Sequence, residues 1–180
     1  HGRFYFLEIN PRVQVEHAIT EMITGVDIVK TMIRVAAGEK LPFEQKDLGI
    51  SGHSIEARIY AEDPDANFVP SPGEIVVYRP SAGPGIRVDS GVYQGAKVTV
   101  FYDPMVAKLV VWGRDRAEAI ERLRRALSEF GGKGIKTSIP FHQKLVHHPK
   151  FLEGHYDTGF IDQHMAAGKG GPPPAGDADT

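Results

Sequence analysis

The residues able to do chemistry crowd between positions 4 and 17. The even positions from 8 read Glu8, Asn10, Arg12, Gln14 and Glu16, and the odd positions from 5 read Tyr5, Leu7, Ile9, Pro11, Val13 and Val15. An extended chain sends alternate side chains to opposite faces, so the pattern predicts one face packed on a core and one polar face. The oxygens of Glu8 and Asn10 suit a hard cation, Mg²⁺ or Mn²⁺. The Arg12 guanidinium suits a planar oxyanion, which it grips with two parallel hydrogen bonds. Glu16 beyond it is free to act as a base. Metal ligands, anion clamp and base in file suit a metal-assisted phosphoryl or carboxyl transfer. The plain alternative is a half-exposed strand with a solvated polar face. Pro11 donates no ladder hydrogen bond, so the strand is expected to end near Asn10 and continue as a shaped loop. His17 falls on the apolar side and reads as a packed residue, not a catalytic one.

The chain that positions these residues has 180 residues, enough for one or two small domains with real cores. Its 41% hydrophobic and 24% charged content is that of an ordinary globular protein. A formal net charge of -2 leaves no basic footprint for nucleic acid. No apolar run approaches the roughly 20 residues that span a bilayer. With no Cys there is no disulfide frame and no thiol chemistry, which fits a cytoplasmic enzyme. The chain opens on His1-Gly2-Arg3, with no initiator Met, and reads as the C-terminal portion of a longer polypeptide.

Apolar residues at 29, 32, 33 and 36 predict a core-packed helix over 26–37, ended by Gly38, after a helical turn near 21–25. Gly52 marks the change to strand character. Strands are expected at 53–61, with Ile55, Ala57 and Ile59 inward, and at 75–78, 86–88, 97–101 and 105–112. Asp115 and Glu118 form a capping box for a helix whose stripe is Ile120, Leu123, Leu127 and Phe130. The run Arg122 to Arg125 reads as its solvated face. Gly131-Gly132 ends that helix, Ser138 caps a second one through Val146 with Pro140 in its first turn, and 156–164 is a short terminal piece. The expected class is α+β, an antiparallel sheet with helices on one face. The expected organisation is 1–45, a connection at 46–51, a second domain at 52–162 and a disordered tail at 163–180.

The order Glu8-x-Asn10-Pro11-Arg12-x-Gln14-Val15-Glu16-His17 resembles the metal and bicarbonate segment of biotin carboxylases, members of the ATP-grasp superfamily. Two further stretches carry the resemblance: Gly52-His53-Ser54-Ile55-Glu56-Ala57-Arg58-Ile59-Tyr60-Ala61-Glu62-Asp63-Pro64 and Tyr102-Asp103-Pro104-Met105-Val106-Ala107-Lys108-Leu109. It runs from Phe4 to about Asp162. It implies that 1–45 is the end of an ATP-grasp fold and 52–162 the biotin carboxylase C-terminal domain.

The resemblance also implies roles. Glu8 and Asn10 hold Mg²⁺ or Mn²⁺, with Glu8 meeting ATP through the metal. Arg12, Gln14, the Val15 N–H and Glu16 bind bicarbonate, and Glu16 is its base. Arg58 stabilises the enolate of carrier-bound biotin, oriented by Glu56 or Asp103. Arg12, Glu16 and Arg58 are therefore the expected catalytic residues. The implied partners are the biotin carboxyl carrier protein, a carboxyltransferase component and a second copy of the chain, with Arg87 a candidate dimer contact. Pro84 stands where some relatives have a bulky aromatic. Acetyl-CoA carboxylase is the favoured system, because the chain ends in a tail and not a further domain. Pyruvate, propionyl-CoA and methylcrotonyl-CoA carboxylases contain similar lobes. The Gly-rich phosphate loop, adenine pocket and phosphate-holding lysines lie upstream in the family, so the chain alone is expected to be inactive. The rivals are another ATP-grasp ligase, such as a carbamoyl-phosphate or purine-pathway enzyme, and a non-catalytic dimerisation module.

Overall fold

Apolar residues alternating along 53–61 and running unbroken along most of 105–113 build the sheet on which everything else rests. The computed structural model describes residues 4–165. In chain order the elements are α1 (His17–Thr24), α2 (Ile28–Ala36), β1 (His53–Tyr60), β2 (Glu62–Asp63), β3 (Val69–Pro70), β4 (Gly73–Glu74), β5 (Val77–Arg79), β6 (Ile86–Ser90), β7 (Lys97–Val98), β8 (Met105–Gly113), α3 (Arg116–Glu129), β9 (Gly131–Lys133), α4 (Ile139–Leu145), α5 (Pro149–Glu153) and α6 (Phe160–His164).

The principal sheet is antiparallel, in the order β1-β8-β6, and its register aligns Arg58, Lys108 and Asp89 across the three strands. Short ribbons pair β2 with β3, β4 with β7 and β5 with β9. One face of the sheet, with Ala57, Ile59, Leu109 and Val111, packs on Leu123, Ala126 and Leu127 of α3 and on Ile139 and Val146. This matches the expected inward set. The other face is covered by α1, which the sequence did not suggest; Val110 on that side is as fully buried as Leu109. A central strand covered on both faces is a continuous apolar run, and Lys108 is its one charged interruption.

Asp115 caps α3 by accepting from the Glu118 N–H at 2.9 Å. Glu118 does not close the box on Asp115. Its carboxylate accepts instead from the Arg114 N–H at 2.8 Å and pairs with the Arg114 side chain. Ser138 precedes α4 but gives it no side-chain cap. Its hydroxyl accepts from the Tyr60 N–H at 3.0 Å and donates to the Arg58 carbonyl at 3.1 Å, so it closes the free edge of β1. Gly52 turns the chain into β1 with φ +72°, where a Cβ would sit 2.6 Å from the Trp112 indole.

Four expectations fail at the two ends. Residues 4–16 form no strand, and Tyr5, Leu7 and Ile9, meant for a core, are 81%, 89% and 74% exposed. A strand needs a hydrogen-bonded neighbour and a surface to pack on, and the described residues supply neither. The helix expected at 26–37 is α2, started by Asp27, whose carboxylate accepts from the Lys30 N–H at 2.8 Å. It buries no residue: Val29, Met32 and Ile33 are exposed. The turn expected near 21–25 is the two-turn helix α1. At the other end, Gln163 and His164 belong to α6, inside the expected tail; residues 166–180 lie outside the described residues. The strands expected at 75–78 and 97–101 shift and shorten to β5 and β7, in turn-rich sequence where alternation runs for only a few residues.

Candidate active site

The loop of 12–17 reaches the sheet through charges. Arg58 projects from β1 and its Nη2 lies 3.0 Å from Glu16 Oε2, while its Nε donates to Glu56 Oε1 at 3.3 Å. The alternation that pairs Glu56 with Arg58 on one strand face therefore does orient the guanidinium. Tyr60 on the same strand also interacts with the guanidinium, and the Arg58 side chain is 40% exposed. Asp103 does not join this group. Its carboxylate accepts from the Met105 N–H at 2.8 Å and shapes the turn into β8.

Arg12 does not pair with Glu16, four residues on. It is exposed, and Nη1 reaches only the Val13 carbonyl, at 3.2 Å. Its fork is open to an anion. The two peptide planes around Val15 are fixed from below. The Gln14 carbonyl accepts from the His17 N–H at 3.2 Å and lies 2.6 Å from His17 Nδ1, a bond that places the ring proton on Nδ1. The Val15 carbonyl accepts from Lys108 Nζ at 2.9 Å. A trans peptide points its N–H opposite its carbonyl, so the Val15 N–H faces away from His17 and has no acceptor among the described residues. His17 is thus the half-buried packed residue its position suggested, and its partner is the loop backbone. The Gln14 side chain is exposed and makes no hydrogen bond with the described residues.

Glu8 and Asn10 are exposed on the extended stretch ahead of this loop. Nowhere among the described residues do three or more His, Asp or Glu side chains gather to hold a metal. Mg²⁺ takes one or two carboxylates and completes its shell with water and phosphate oxygens, so this oxygen pair fits as the protein's share of such a site.

Three residues at the site carried no sequence-based role. Lys108 is 8% exposed in the middle of β8, between Arg58 and Asp89, and sits 3.3 Å from Asp89 Oδ2. Burial works to raise the Asp89 carboxyl, but Arg87 and Lys108 outweigh it and hold it below the usual range. Asp89 meets Arg87 with two bonds of 2.8 Å, and Arg87 Nη1 reaches Glu21 Oε2 at 2.6 Å. The other Glu21 oxygen accepts from the Ile28 N–H at 2.6 Å, so Glu21 joins α1, α2 and β6. Every nitrogen of Arg87 is thus engaged within the chain. The signal for Lys108 was legible: a lysine within a strand otherwise apolar from Met105 to Trp112 is either misplaced or held. Glu56 lies at the same place with its side chain 4% exposed. Burial pushes its carboxyl up, against the pull of Lys108 and Arg58, and its Oε2 meets no donor among the described residues.

The sequence and the fold are similar to those of known proteins. Residues 56–163 match the biotin carboxylase C-terminal domain, and residues 1–44 match the ATP-binding domain of the carbamoyl-phosphate synthase L chain. The chain is 56% identical over 163 residues to a pyruvate carboxylase subunit of Methanothermobacter thermautotrophicus, covering 91% of this chain and 33% of that protein. It is 49% identical over 166 residues to biotin carboxylase 1 of Bacillus subtilis, covering 92% of this chain and 37% of that one. The biotin carboxylase domain dimer of Hydrogenobacter thermophilus 2-oxoglutarate carboxylase, solved with MgADP and bicarbonate, superposes with a TM-score of 0.88 at 45% identity. That match covers 91% of this chain and 36% of that one. The chain thus spans about a third of these relatives' length. It belongs to the biotin carboxylase family and carries that family's C-terminal domain.

Proposed function

We propose that this chain is the part of an ATP-dependent biotin carboxylase that activates bicarbonate and receives biotin. The Arg58 to Glu16 contact at 3.0 Å carries the reading, because it joins the anion-binding loop to the lobe across 42 residues of sequence. Arg12 holds bicarbonate through its open fork, and the Val15 N–H donates to the same anion. Glu16 takes the bicarbonate proton, which makes the oxygen a nucleophile toward the γ-phosphoryl of ATP. Glu8 and Asn10 would hold Mg²⁺, which supplies neutralisation of the phosphate charge. After carboxyphosphate breaks to CO₂ and phosphate, the phosphate takes the biotin N1 proton. Negative charge then develops on the ureido oxygen, and the half-exposed guanidinium of Arg58 meets it while Glu56 fixes the guanidinium plane. N1 attacks CO₂. The known 2-oxoglutarate carboxylase domain with bicarbonate and MgADP supports this substrate set.

The carboxylated biotin belongs to a carrier protein and passes to a carboxyltransferase, in the cytoplasm and in a homodimer, as the family expectation has it. Acetyl-CoA carboxylase is the expected system. Relatives named for pyruvate, methylcrotonoyl-CoA and 2-oxoglutarate make the acceptor a separate test, namely which carboxyltransferase copurifies. The 180-residue chain alone is expected to give no carboxylation and no micromolar MgATP binding by calorimetry.

The decisive test uses a polypeptide that joins this chain to the remaining length of its relatives. An oxyanion-stabilising group is worth about 3–4 kcal/mol in the transition state, so Arg58→Ala should lower biotin carboxylation roughly 10²–10³-fold with the KM for ATP unchanged. Unchanged biotin-dependent turnover refutes the assignment.

A further inference from the structure

We propose that Lys108 is a positioning residue for the bicarbonate loop: its buried ammonium tethers the Val15 carbonyl to the central strand and so sets the backbone that presents the Val15 N–H and Glu16. The proposal rests on the biotin carboxylase reading for its catalytic consequence, but the tether itself is independent of it.

A lysine here runs against the local physics. It interrupts an apolar central strand, is 8% exposed, and stands directly across from another cation, Arg58. Like charges opposite one another destabilise a sheet, and burying an ammonium costs more unless it is paired. Lys108 is held by what surrounds it: the Val15 carbonyl at 2.9 Å from the loop, Asp89 at 3.3 Å from β6, and the buried Glu56 carboxylate from β1. Arg87 already satisfies both oxygens of Asp89, so the sheet would close its own charges without a lysine. What only Lys108 supplies is the bond to Val15.

That bond matters because the loop has little else. Residues 12–16 have no strand partner. The Gln14 carbonyl is turned inward by His17, the Val15 carbonyl by Lys108, and the Glu16 side chain by Arg58. Of these anchors, His17 belongs to the same segment, and the Arg58 to Glu16 pair is itself in the chemistry. Among the described residues Lys108 alone ties the loop backbone to the rigid sheet. Released from it, the peptide after Val15 is free to rotate, and the donor and base lose their common aim.

The test has two readouts. In the 180-residue chain, Lys108→Met keeps the stem and removes the donor. Hydrogen exchange at the His17 and Ile19 amides is expected to quicken at least tenfold, with β8 and α3 amides unchanged. In the polypeptide joined to the remaining length of the relatives, the same variant is expected to raise the KM for bicarbonate about tenfold or more, leaving the KM for ATP in place. Lys108→Arg, which can still donate to the carbonyl, should fall between Met and wild type in both. Where Lys108→Met does not fold, Lys108→Leu, which likewise carries no donor, takes its place with the same expectations. Unchanged exchange at His17 and Ile19 overturns the tether. Faster exchange with an unchanged bicarbonate KM overturns the positioning role. If the unsubstituted polypeptide shows no bicarbonate-dependent turnover, the biotin carboxylase reading fails and takes the catalytic half of the proposal with it, while exchange still decides the tether.

Discussion

The lobe from His53 onward and the segment before it are held together by different forces. The lobe buries Ile59, Leu109 and Leu127 completely and closes its sheet edge with Ser138 and His142. Among residues 4–52, Ala18 alone is buried, and Phe4, Leu7 and Ile33 face outward. The segment is attached by Glu16 to Arg58, Val15 to Lys108, Glu21 to Arg87 and the Trp112 indole to the Ser51 carbonyl. Partly exposed ion pairs are worth about 0–1 kcal/mol each, far less than a core. The chemistry thus sits on the part of the molecule with the least packing of its own, and the lobe supplies its rigidity through a few polar links.

The largest effect that would test this contrast is in the core. Leu109→Ala empties a fully buried position in the central strand and should cost about 2–5 kcal/mol in urea unfolding followed by circular dichroism. Ile33→Ala in α2, 66% exposed, removes just as much side chain and should change stability by less than about 0.5 kcal/mol. Equal losses would mean that α2 has a core the described residues do not reveal, and the division between the two regions would go.

What could be read from sequence follows the same division. Inside the lobe, the inward set Ile55, Ala57 and Ile59, the strand at 105–112 and the helix after Asp115 are as expected, because each residue's neighbours lie within the lobe. Before Gly52, the alternation of 5–15 and the stripe at 29, 32, 33 and 36 were read as buried faces, and they are apolar faces with nothing over them among the described residues. Periodicity reports that a face is apolar, not what covers it. At the site, Arg58 and Glu56 were legible from strand spacing. Lys108 stood out as a charge in an apolar strand, but its partners did not, nor did the link of Glu21 to Arg87, because α1 lies on the polar side of the sheet and this packing has no local signal. The shift of the Glu118 bond from Asp115 to Arg114 was equally invisible, since a motif names residue types and not which amide is closer.

Helix caps offer a smaller and sharper version of the contrast. Asp27 and Asp115 each accept from the backbone N–H three residues on, at 2.8 and 2.9 Å. Removing such a cap costs about 0.5–2 kcal/mol when the helix is part of the folded core. Asp115→Ala should show that loss in global unfolding, since α3 lines the core. Asp27→Ala should leave the global midpoint in place and lower only the helical signal and exchange protection of α2. A drop in the midpoint for both would show that the two helices unfold as one unit.

The smallest effect is a slope with pH. His142 sits beneath Arg58, with its Nε2 2.8 Å from the Arg58 carbonyl and the Phe141 ring edge-on beside it. Burial pushes its pKa below the ordinary value, and the bond to the carbonyl opposes this only in part. The unfolded chain takes up a proton near pH 6.5, which the folded ring resists. The contribution of His142 is therefore complete above about pH 6.5 and declines as pH falls toward the folded value, by at most about 1.4 kcal/mol per pH unit. Glu56, whose carboxyl is pushed up, works in the other direction and gains stability as pH falls through its folded value. The difference between wild type and His142→Gln isolates the histidine, because Gln can still donate to the Arg58 carbonyl but does not titrate. Urea midpoints from pH 7 to pH 5 should fall less steeply in His142→Gln than in wild type. Parallel profiles would mean that the ring charges freely in the folded state, and that the support beneath Arg58 is no drier than the loop above it.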